Sequence, residues 1–350
     1  MLRSMPAQRT DGSSSRGVRV PAARRRAGEA IAAVLEPGMR VALTTHVNAD
    51  GDGAGGVAAL WHLLTDNRIR AAITNPTPYP DRYRFLLAGS ELADKSADAV
   101  KHLQRADLVM VLDISDLGRL GHLGPVIQKT GVPVACIDHH ASSGTLPAGP
   151  RLVDSTACAT GELIYDLAQS VGWTLSPAAA RGLYVAIMTD TGGFRFSNTT
   201  PRALQIAAHL LACGVNPEEM YRHVYASESE GRLRLMGDVL DTLVVEPEHG
   251  LAWVTVPAGS LERHGLKPDD LEGVVEFPRS IKGTRLALLF RPLANGRVKV
   301  SFRSTGDVDV ARMAEGFGGG GHRKAAGASL AGQMSEVQQV VLAAARAALA

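Results

Sequence analysis

The sequence predicts an α/β protein in two parts: a doubly wound parallel sheet in the N-terminal region, connected by a helix to a smaller α/β domain with a mixed sheet. Three observations carry that prediction. Between residues 40 and 138, short and almost continuously apolar runs alternate with helical spacing, the pattern of parallel strands covered on both faces. After residue 244 strand-rich segments dominate, two of them joined across Asn295-Gly296, a strong hairpin signal. A chain of 350 residues with 45% apolar content can fill two cores and is too long for one small domain.

In order along the chain, apolar spacing predicts a helix over 28–36, a strand over 40–46, and a helix over 54–65 on which Leu60, Leu63 and Leu64 share a face. Strands follow at 69–74, 107–113 and 133–138, with helical segments near 96–104 and 122–129. From 155 to 226 the spacing is mostly helical. The segment 230–243, with Leu233, Met236, Val239 and Leu240, reads as a connecting helix. Strands at 251–256, 285–291 and 297–303 and an Ala-rich helix over 335–349 complete the chain, and no internal repeat is present. The expected boundaries are a tail over 1–27, a first domain over 28–226, a connector over 227–243 and a second domain over 244–350.

The net charge is +2, and seven arginines against one acid fall before residue 27, so the remainder is net acidic. Any nucleic-acid contact is then expected inside a cleft, since a general basic surface is absent. The Arg-, Ser- and Pro-rich start lacks an amphipathic apolar face and is expected to be a disordered tail outside the fold, with Met5 as a second candidate start. Cys136, Cys158 and Cys213 lie in apolar surroundings without paired spacing, which predicts buried reduced thiols in a cytoplasmic protein. No run approaches the ~18 to 20 apolar residues of a membrane span.

Carboxylates and imidazoles gather where these strands run out into loops, the usual address of a ligand site on an open α/β sheet. His46-x3-Asp50-x-Asp52 leaves the 40–46 strand, and Gly51, Gly53, Gly55 and Gly56 are read as keeping its loop narrow and sharply turned. Asp113 ends the 107–113 strand, and Asp138-His139-His140 ends the 133–138 strand. Three consecutive polar titratable groups at a buried strand end cost stability unless they are paired or metal-bound. Asp190 follows an apolar helical stretch in Ile-Met-Thr-Asp-Thr-Gly-Gly. Singly, each has a plain reading as a turn or helix cap. Jointly, His46, Asp50, Asp52, Asp113, His139 and Asp190 are about the number needed to hold two divalent cations with one carboxylate bridging.

Carboxylate oxygen with some imidazole favours hard or borderline ions, and the absence of nearby cysteine argues against structural zinc. Mn²⁺ fits best, with Mg²⁺ as the alternative. Two such ions are nearly balanced by the four aspartates, which leaves room for an anionic substrate and for attack of a hydroxide on phosphorus by two-metal logic. Further along, Gly318-Gly319-Gly320-Gly321-His322-Arg323-Lys324 is a glycine loop whose N–H groups would approach a phosphate closely, with His322 alongside; its plain reading is a flexible loop. Arg303 offers a forked phosphate donor, its plain reading being a surface salt bridge. Phe194, Phe196, Tyr79 and Phe317 are candidate rings for stacking on a base, although only 5% of the chain is aromatic and most rings belong to cores. His62, His102, His122, His209 and His264 read as ordinary helix or loop residues.

Taken together, the His-x3-Asp-x-Asp loop, the Asp113 strand end, Asp138-His139-His140, Asp190 and the Gly-Gly-Gly-Gly-His322 segment resemble, in order and spacing, the DHH phosphoesterases that carry a DHH-associated C-terminal domain. The resemblance covers roughly residues 28 to 335. It implies one metal on His46, Asp50 and Asp113 and a second on Asp52, Asp113, His139 and Asp190, with Asp113 bridging and His140 facing the substrate phosphate. Arg303, Arg119, Gly319, Gly320, Gly321 and His322 would bind substrate. One departure is visible: Ala49 stands before Asp50 where family members often carry proline, which touches loop stiffness more than ligation.

Within that family the length and the Phe194-Arg-Phe-Ser-Asn198-Thr-Thr-Pro201 segment look most like the bifunctional oligoribonuclease and pAp phosphatase group. This implies hydrolysis of pApA and similar short RNA to mononucleotides, dephosphorylation of 3′-phosphoadenosine 5′-phosphate (pAp) to AMP, and in some relatives cleavage of cyclic di-AMP. Closure of the second domain on the first across the 230–243 connector is the mechanistic expectation, and a homodimer is expected by analogy alone. No added module suited to long duplex nucleic acid is seen. A family II inorganic pyrophosphatase shares the metal logic, and a non-catalytic cyclic-dinucleotide receptor is the alternative of a different class.

Overall fold

The structure, a computed structural model, describes residues 17–87, 93–141, 145–271, 273–293 and 296–350; the side chains of Asp269 and His322 lie outside that description. It divides into one unit up to Ser227 and another from Glu228 to Ala350.

The first unit runs α1 (Ala22–Ala32), β1 (Arg40–Thr44), α2 (Gly51–Asp66), β2 (Arg70–Ile73), α3 (Ala99–Arg105), β3 (Leu108–Leu112), α4 (Leu123–Thr130), β4 (Val134–Asp138), β5 (Arg151–Val153), α5 (Thr160–Ser170), α6 (Pro177–Asp190), α7 (Pro201–Ala212) and α8 (Pro217–Tyr225). Its sheet has the order β2-β1-β3-β4-β5, every pair parallel. All of β3 is buried, and its alternation divides two cores. Leu108, Met110 and Leu112 pack with Leu60, Leu63 and Leu64 of α2 and with Leu163 and Leu183 of α5 and α6. Val109 and Val111 pack with Leu103 of α3 and Leu123 and Ile127 of α4. The strand order reverses at β1, so the connections leaving β1 and β3 part to opposite faces and open a crevice at the carboxyl ends of the strands. Three helices start on the same local signal, Ser176-Pro177, Thr200-Pro201 and Asn216-Pro217, where the first side chain accepts a backbone N–H of the opening turn and proline needs none.

Two expectations for this unit are corrected. Residues 17–27 are not a tail outside the fold: α1 begins at Ala22, and Arg24, in the middle of the arginine-rich run, is 4% exposed. Its guanidinium donates to Asp154 at 2.6 Å, Glu162 at 2.5 Å and Asp166 at 3.1 Å. Burial opposes its charge, but these carboxylates outweigh burial and hold it firmly protonated. The glycines after Asp50 do not shape a loop. All four lie in α2, where an added Cβ at Gly55 would stand 2.6 Å from the Gly182 carbonyl and one at Gly51 2.4 Å from Thr189. Gly51 and Gly55 let α2 and α6 approach closely, Gly53 makes room for Thr45 and His46, and Gly56 faces Ile164 of α5.

The second unit runs α9 (Glu230–Leu240), β6 (Val244–Glu246), β7 (Leu251–Thr255), α10 (Ser260–Arg263), α11 (Glu276–Arg279), β8 (Leu286–Pro292), β9 (Arg297–Ser304), α12 (Val310–Glu315), β10 (Gly320–His322), β11 (Ala325–Ala331) and α13 (Met334–Leu349). Its sheet has the order β10-β11-β9-β8-β7-β6, mixed because β7 and β8 are parallel while the other pairs are antiparallel. Val298, Val300 and Phe302 of β9 face a core closed by α12 and α13. The opposite face packs Ala287 and Leu289 with Leu235 and Val239 of α9, so the connecting helix is part of this unit's own core. β8 and β9 pair as the Asn295-Gly296 signal predicts; Gly296 has φ +70°, and Asn295 lies outside the described residues. The glycine loop is corrected too: Gly320–His322 form an edge strand on β11, where a Cβ at Gly319 or Gly321 would run into the β11 backbone. Among the described residues no helix is long and apolar enough to cross a membrane.

Candidate metal centre

The carboxyl ends of β1, β3 and β4, adjacent in the sheet, bring His46, Asp113 and Asp138-His139-His140 to the crevice. Asp50 caps α2, its Oδ1 accepting the N–H groups of Asp52 and Gly53 at 3.1 Å each, and this turns Asp52 inward. Asp190 is the last residue of α6. His46 Nε2 lies 3.6 Å from Asp50 and 3.5 Å from Asp113 Oδ2. His139 Nε2 lies 3.6 Å from Asp52, 3.7 Å from Asp113 Oδ1 and 3.7 Å from Asp190. In each of the sets His46–Asp50–Asp113 and Asp52–His139–Asp190, the donor atoms lie within 4.8 Å of one another. Asp113 faces one set with each oxygen. It does so from φ +58°, a left-handed backbone that aspartate tolerates better than most residues.

This donor set suits divalent cations. His46 Nδ1 donates to the Val47 carbonyl at 2.9 Å, which leaves Nε2 to face the carboxylates. Burial and then repulsion from Asp113, Asp190 and Asp50 push Asp52 well above the usual carboxylate range, and burial with the same kind of repulsion lifts Asp190 to about 6. Cations would relieve that crowding of negative charge. His46 shows its other side: burial works against its charged form, but Asp113 and Asp50 outweigh it and raise the ring to about 9.

A proton-linked metal affinity follows. At pH 7 the metal-free His46 is an imidazolium, coordination needs the neutral ring, and so binding expels a proton. Apparent Mn²⁺ affinity of the His46 set should rise with pH towards about 9, with about one proton released from His46 at pH 7, as titration calorimetry in buffers of different ionisation enthalpy would measure. An affinity flat from pH 6 to 8 would contradict the assignment of His46 as a ligand.

Of four further residues at this centre, Asp138 and Asn198 stand in segments singled out above without a role of their own, and Thr160 and Gly161 carry no signal in the sequence. Asp138, fully buried, accepts from His140 Nδ1 at 2.7 Å and orients that ring; the bond to Asp138 raises the His140 pKa, and the charge of Arg119 opposes it. Thr160 N and Gly161 N, at the start of α5, donate to the two oxygens of Asp52 at 2.6 and 2.9 Å, and Thr160 Oγ1 donates to Asp113 Oδ1 at 3.0 Å. Asn198 Nδ2 donates to the main-chain oxygens of Cys158 and Asp190. Nothing along the chain tells what the Thr160 hydroxyl or the Asn198 amide meets. Thr160→Val, which keeps the N–H and removes the hydroxyl, should weaken Mn²⁺ binding by about tenfold with an unchanged Tm, and Thr160→Ser should restore it.

In the second unit, Arg303 Nε donates to Glu276 at 3.2 Å and Nη1 to the Phe302 carbonyl, so the plain salt-bridge reading describes its resting contacts. Lys324 is tied to the carbonyls of Gly306 and Val308. Glu246, Glu248 and His249 form a further acidic group there, but Arg346 holds both oxygens of Glu246.

An aspartate–histidine centre at the switch point of a doubly wound sheet, in a chain with a separate mixed-sheet unit, defines a phosphoester hydrolase. The chain belongs to the DHH family: the model of that family's N-terminal domain matches residues 40–187, and that of the DHHA1 domain matches residues 252–350. It is 33% identical over 299 residues to the bifunctional oligoribonuclease and PAP phosphatase NrnA of Thermus thermophilus, covering 83% of this chain and 84% of that protein. The Bacillus subtilis protein of the same name is 29% identical over 295 residues, with 83% and 89% covered. The crystal structure of an exopolyphosphatase-related protein from Bacteroides fragilis superposes with a TM-score of 0.82 at 26% identity, covering 92% of this chain and 96% of that one.

Proposed function

We propose that this protein hydrolyses short oligoribonucleotides such as pApA to mononucleotides and dephosphorylates pAp to AMP, with cyclic di-AMP as a further substrate. The observation that carries this reading is the placement of Asp113, with Oδ2 3.5 Å from His46 and Oδ1 3.7 Å from His139, one carboxylate between two ligand sets. The names borne by the Thermus and Bacillus relatives supply the substrate class.

His46, Asp50 and Asp113 would hold one divalent cation, and Asp52, Asp113, His139 and Asp190 a second, with Mn²⁺ preferred over Mg²⁺. When bound, the cations supply Lewis-acid charge at the phosphoryl group and an activated water. The chain's own residues do the rest. His140, oriented through Nδ1 by Asp138, turns its free ring nitrogen to a phosphate oxygen, and Arg119 adds positive charge beside it. In the second unit Arg303, His322 and the edge strand of Gly320 and Gly321 are the candidates for contact with a phosphate, the Gly319 N–H being already given to the Ala314 carbonyl.

The test is Mn²⁺-dependent hydrolysis of pApA, pAp, cyclic di-AMP and pyrophosphate side by side, with Asp113→Ala as the blank. Release of AMP from pApA or pAp that vanishes in the blank supports the proposal. Activity confined to pyrophosphate would replace it with the pyrophosphatase reading, and tight nucleotide binding with Mn²⁺ but no cleavage would replace it with the receptor.

A further inference from the structure

Of the four rings offered for stacking on a base, three are engaged elsewhere. Tyr79 is 1% exposed, and its hydroxyl donates to the Ala54 carbonyl at 3.0 Å. Phe194 packs against Tyr184 with ring centroids 5.8 Å apart, and Phe317 lies nearly parallel to Phe302 at 6.5 Å. Phe196 is different: it is 58% exposed.

That exposure belongs to a ring held in place. Gly192, Gly193 and Phe194 have φ of +58°, +69° and +64°, three successive residues in the left-handed region, which is costly for Phe194. The Thr191 carbonyl accepts from Arg195 N at 2.9 Å and Phe196 N at 3.0 Å, and Arg195 Nε donates to the Gly192 carbonyl at 2.7 Å. The turn thus formed lays the Phe196 ring on Gly192: an added Cβ there would stand 2.5 Å from Cε1 and Cζ. Only glycine fits. Two residues on from Phe196, Asn198 ties the segment back to the main-chain oxygen of Asp190 at 3.2 Å. Backbone strain, a glycine and a hydrogen bond from Asn198 to a residue of the centre therefore combine to hold an exposed apolar ring on the segment that leaves Asp190.

A flat apolar face has nothing to offer phosphate or pyrophosphate. It has much to offer a nucleobase, because every base has a π-face and stacking is tolerant of base identity. We infer that Phe196 is the platform on which the base of a bound nucleoside phosphate stacks, so that the first unit reads the substrate as a nucleotide without choosing among bases. The inference rests on the nucleotide-hydrolase reading above and names the residue that gives it that selectivity.

The test measures binding of AMP and of ribose 5-phosphate to the full-length, Mn²⁺-loaded protein by calorimetry, in the wild type, Phe196→Ala and Phe196→Trp, with KM and kcat for pApA alongside. The wild type should prefer AMP. Phe196→Ala should weaken AMP by about tenfold, leave ribose 5-phosphate and the metal content unchanged, and raise KM with little change in kcat; Phe196→Trp should retain AMP affinity. Equal affinities for AMP and ribose 5-phosphate in the wild type, or equal losses in Phe196→Ala, would overturn the platform. A wild type that cleaves pApA while Phe196→Ala binds AMP normally would also sink it and leave the proposed function standing. Absence of nucleotide cleavage in the wild type would strike the function itself.

Discussion

Asp113→Ala should lower turnover of pApA by several orders of magnitude and remove both metals together. One carboxylate, 2% exposed, faces both candidate ligand sets, so under the proposed assignment its loss takes a donor from each, unlike loss of His46 or Asp190, which touches one set only. Because Asp113 occupies a left-handed backbone position that alanine tolerates poorly, Asp113→Asn is the paired variant: it keeps the shape and the φ preference and removes the charge. In the metal-free protein that charge both opposes the ionisation of Asp52 and holds the His46 imidazolium, so Asp113→Asn should bring the His46 ring down from about 9 towards the usual imidazole range, as an NMR titration would read. Kinetics, metal analysis and a melting curve on the two variants check this. Near-normal turnover in either would remove Asp113 from the bridging position.

Gly55→Val should be the most damaging change away from the ligands. A Cβ at Gly55 meets the Gly182 carbonyl at 2.6 Å and the Ala186 nitrogen at 2.8 Å, and one at Gly182 meets the Gly55 carbonyl at 2.8 Å in return. These are backbone atoms of a neighbouring helix, which cannot rotate away as a side chain can, so α2 and α6 must separate. Overpacking of this kind costs about 3 kcal/mol. For a unit of this size that lowers Tm by roughly 6 to 12 °C. Since α2 carries Asp52 and α6 carries Asp190, metal binding should weaken as well. Gly55→Ala decides the sign, because in an exposed helix it would gain about 1 kcal/mol of propensity. A raised Tm in Gly55→Ala would show that the helices are free to part.

The sheet of the first unit was legible because its signal is local. Apolar runs such as Leu108–Leu112 and Val134–Asp138 have strand length and strand chemistry, and the acids and imidazoles at their carboxyl ends stand at fixed, short spacings. Where local signal fails, the reading failed with it. β11, Ala-Ala-Gly-Ala-Ser-Leu-Ala, has almost no β-favouring side chain and is a strand because β9 pairs with it along its whole length. β5 has three residues and one buried side chain.

By itself, then, the sequence determined the α/β class, the strands and helices that carry a local apolar signal, and which acids and histidines stand at strand ends, all properties of neighbours along the chain. The tertiary structure decided what those neighbours meet. It placed Arg24 against carboxylates 130 to 142 residues away, docking part of a presumed tail on the fold as a helix with one buried face. It turned Gly51 and Gly55 of α2 from loop residues into a packing surface for α6, aimed Thr160 at Asp113, and separated Phe196 from the rings that only fill cores. A hydrogen bond or a steric limit between residues far apart in the chain leaves no periodicity behind, so only the folded backbone shows it.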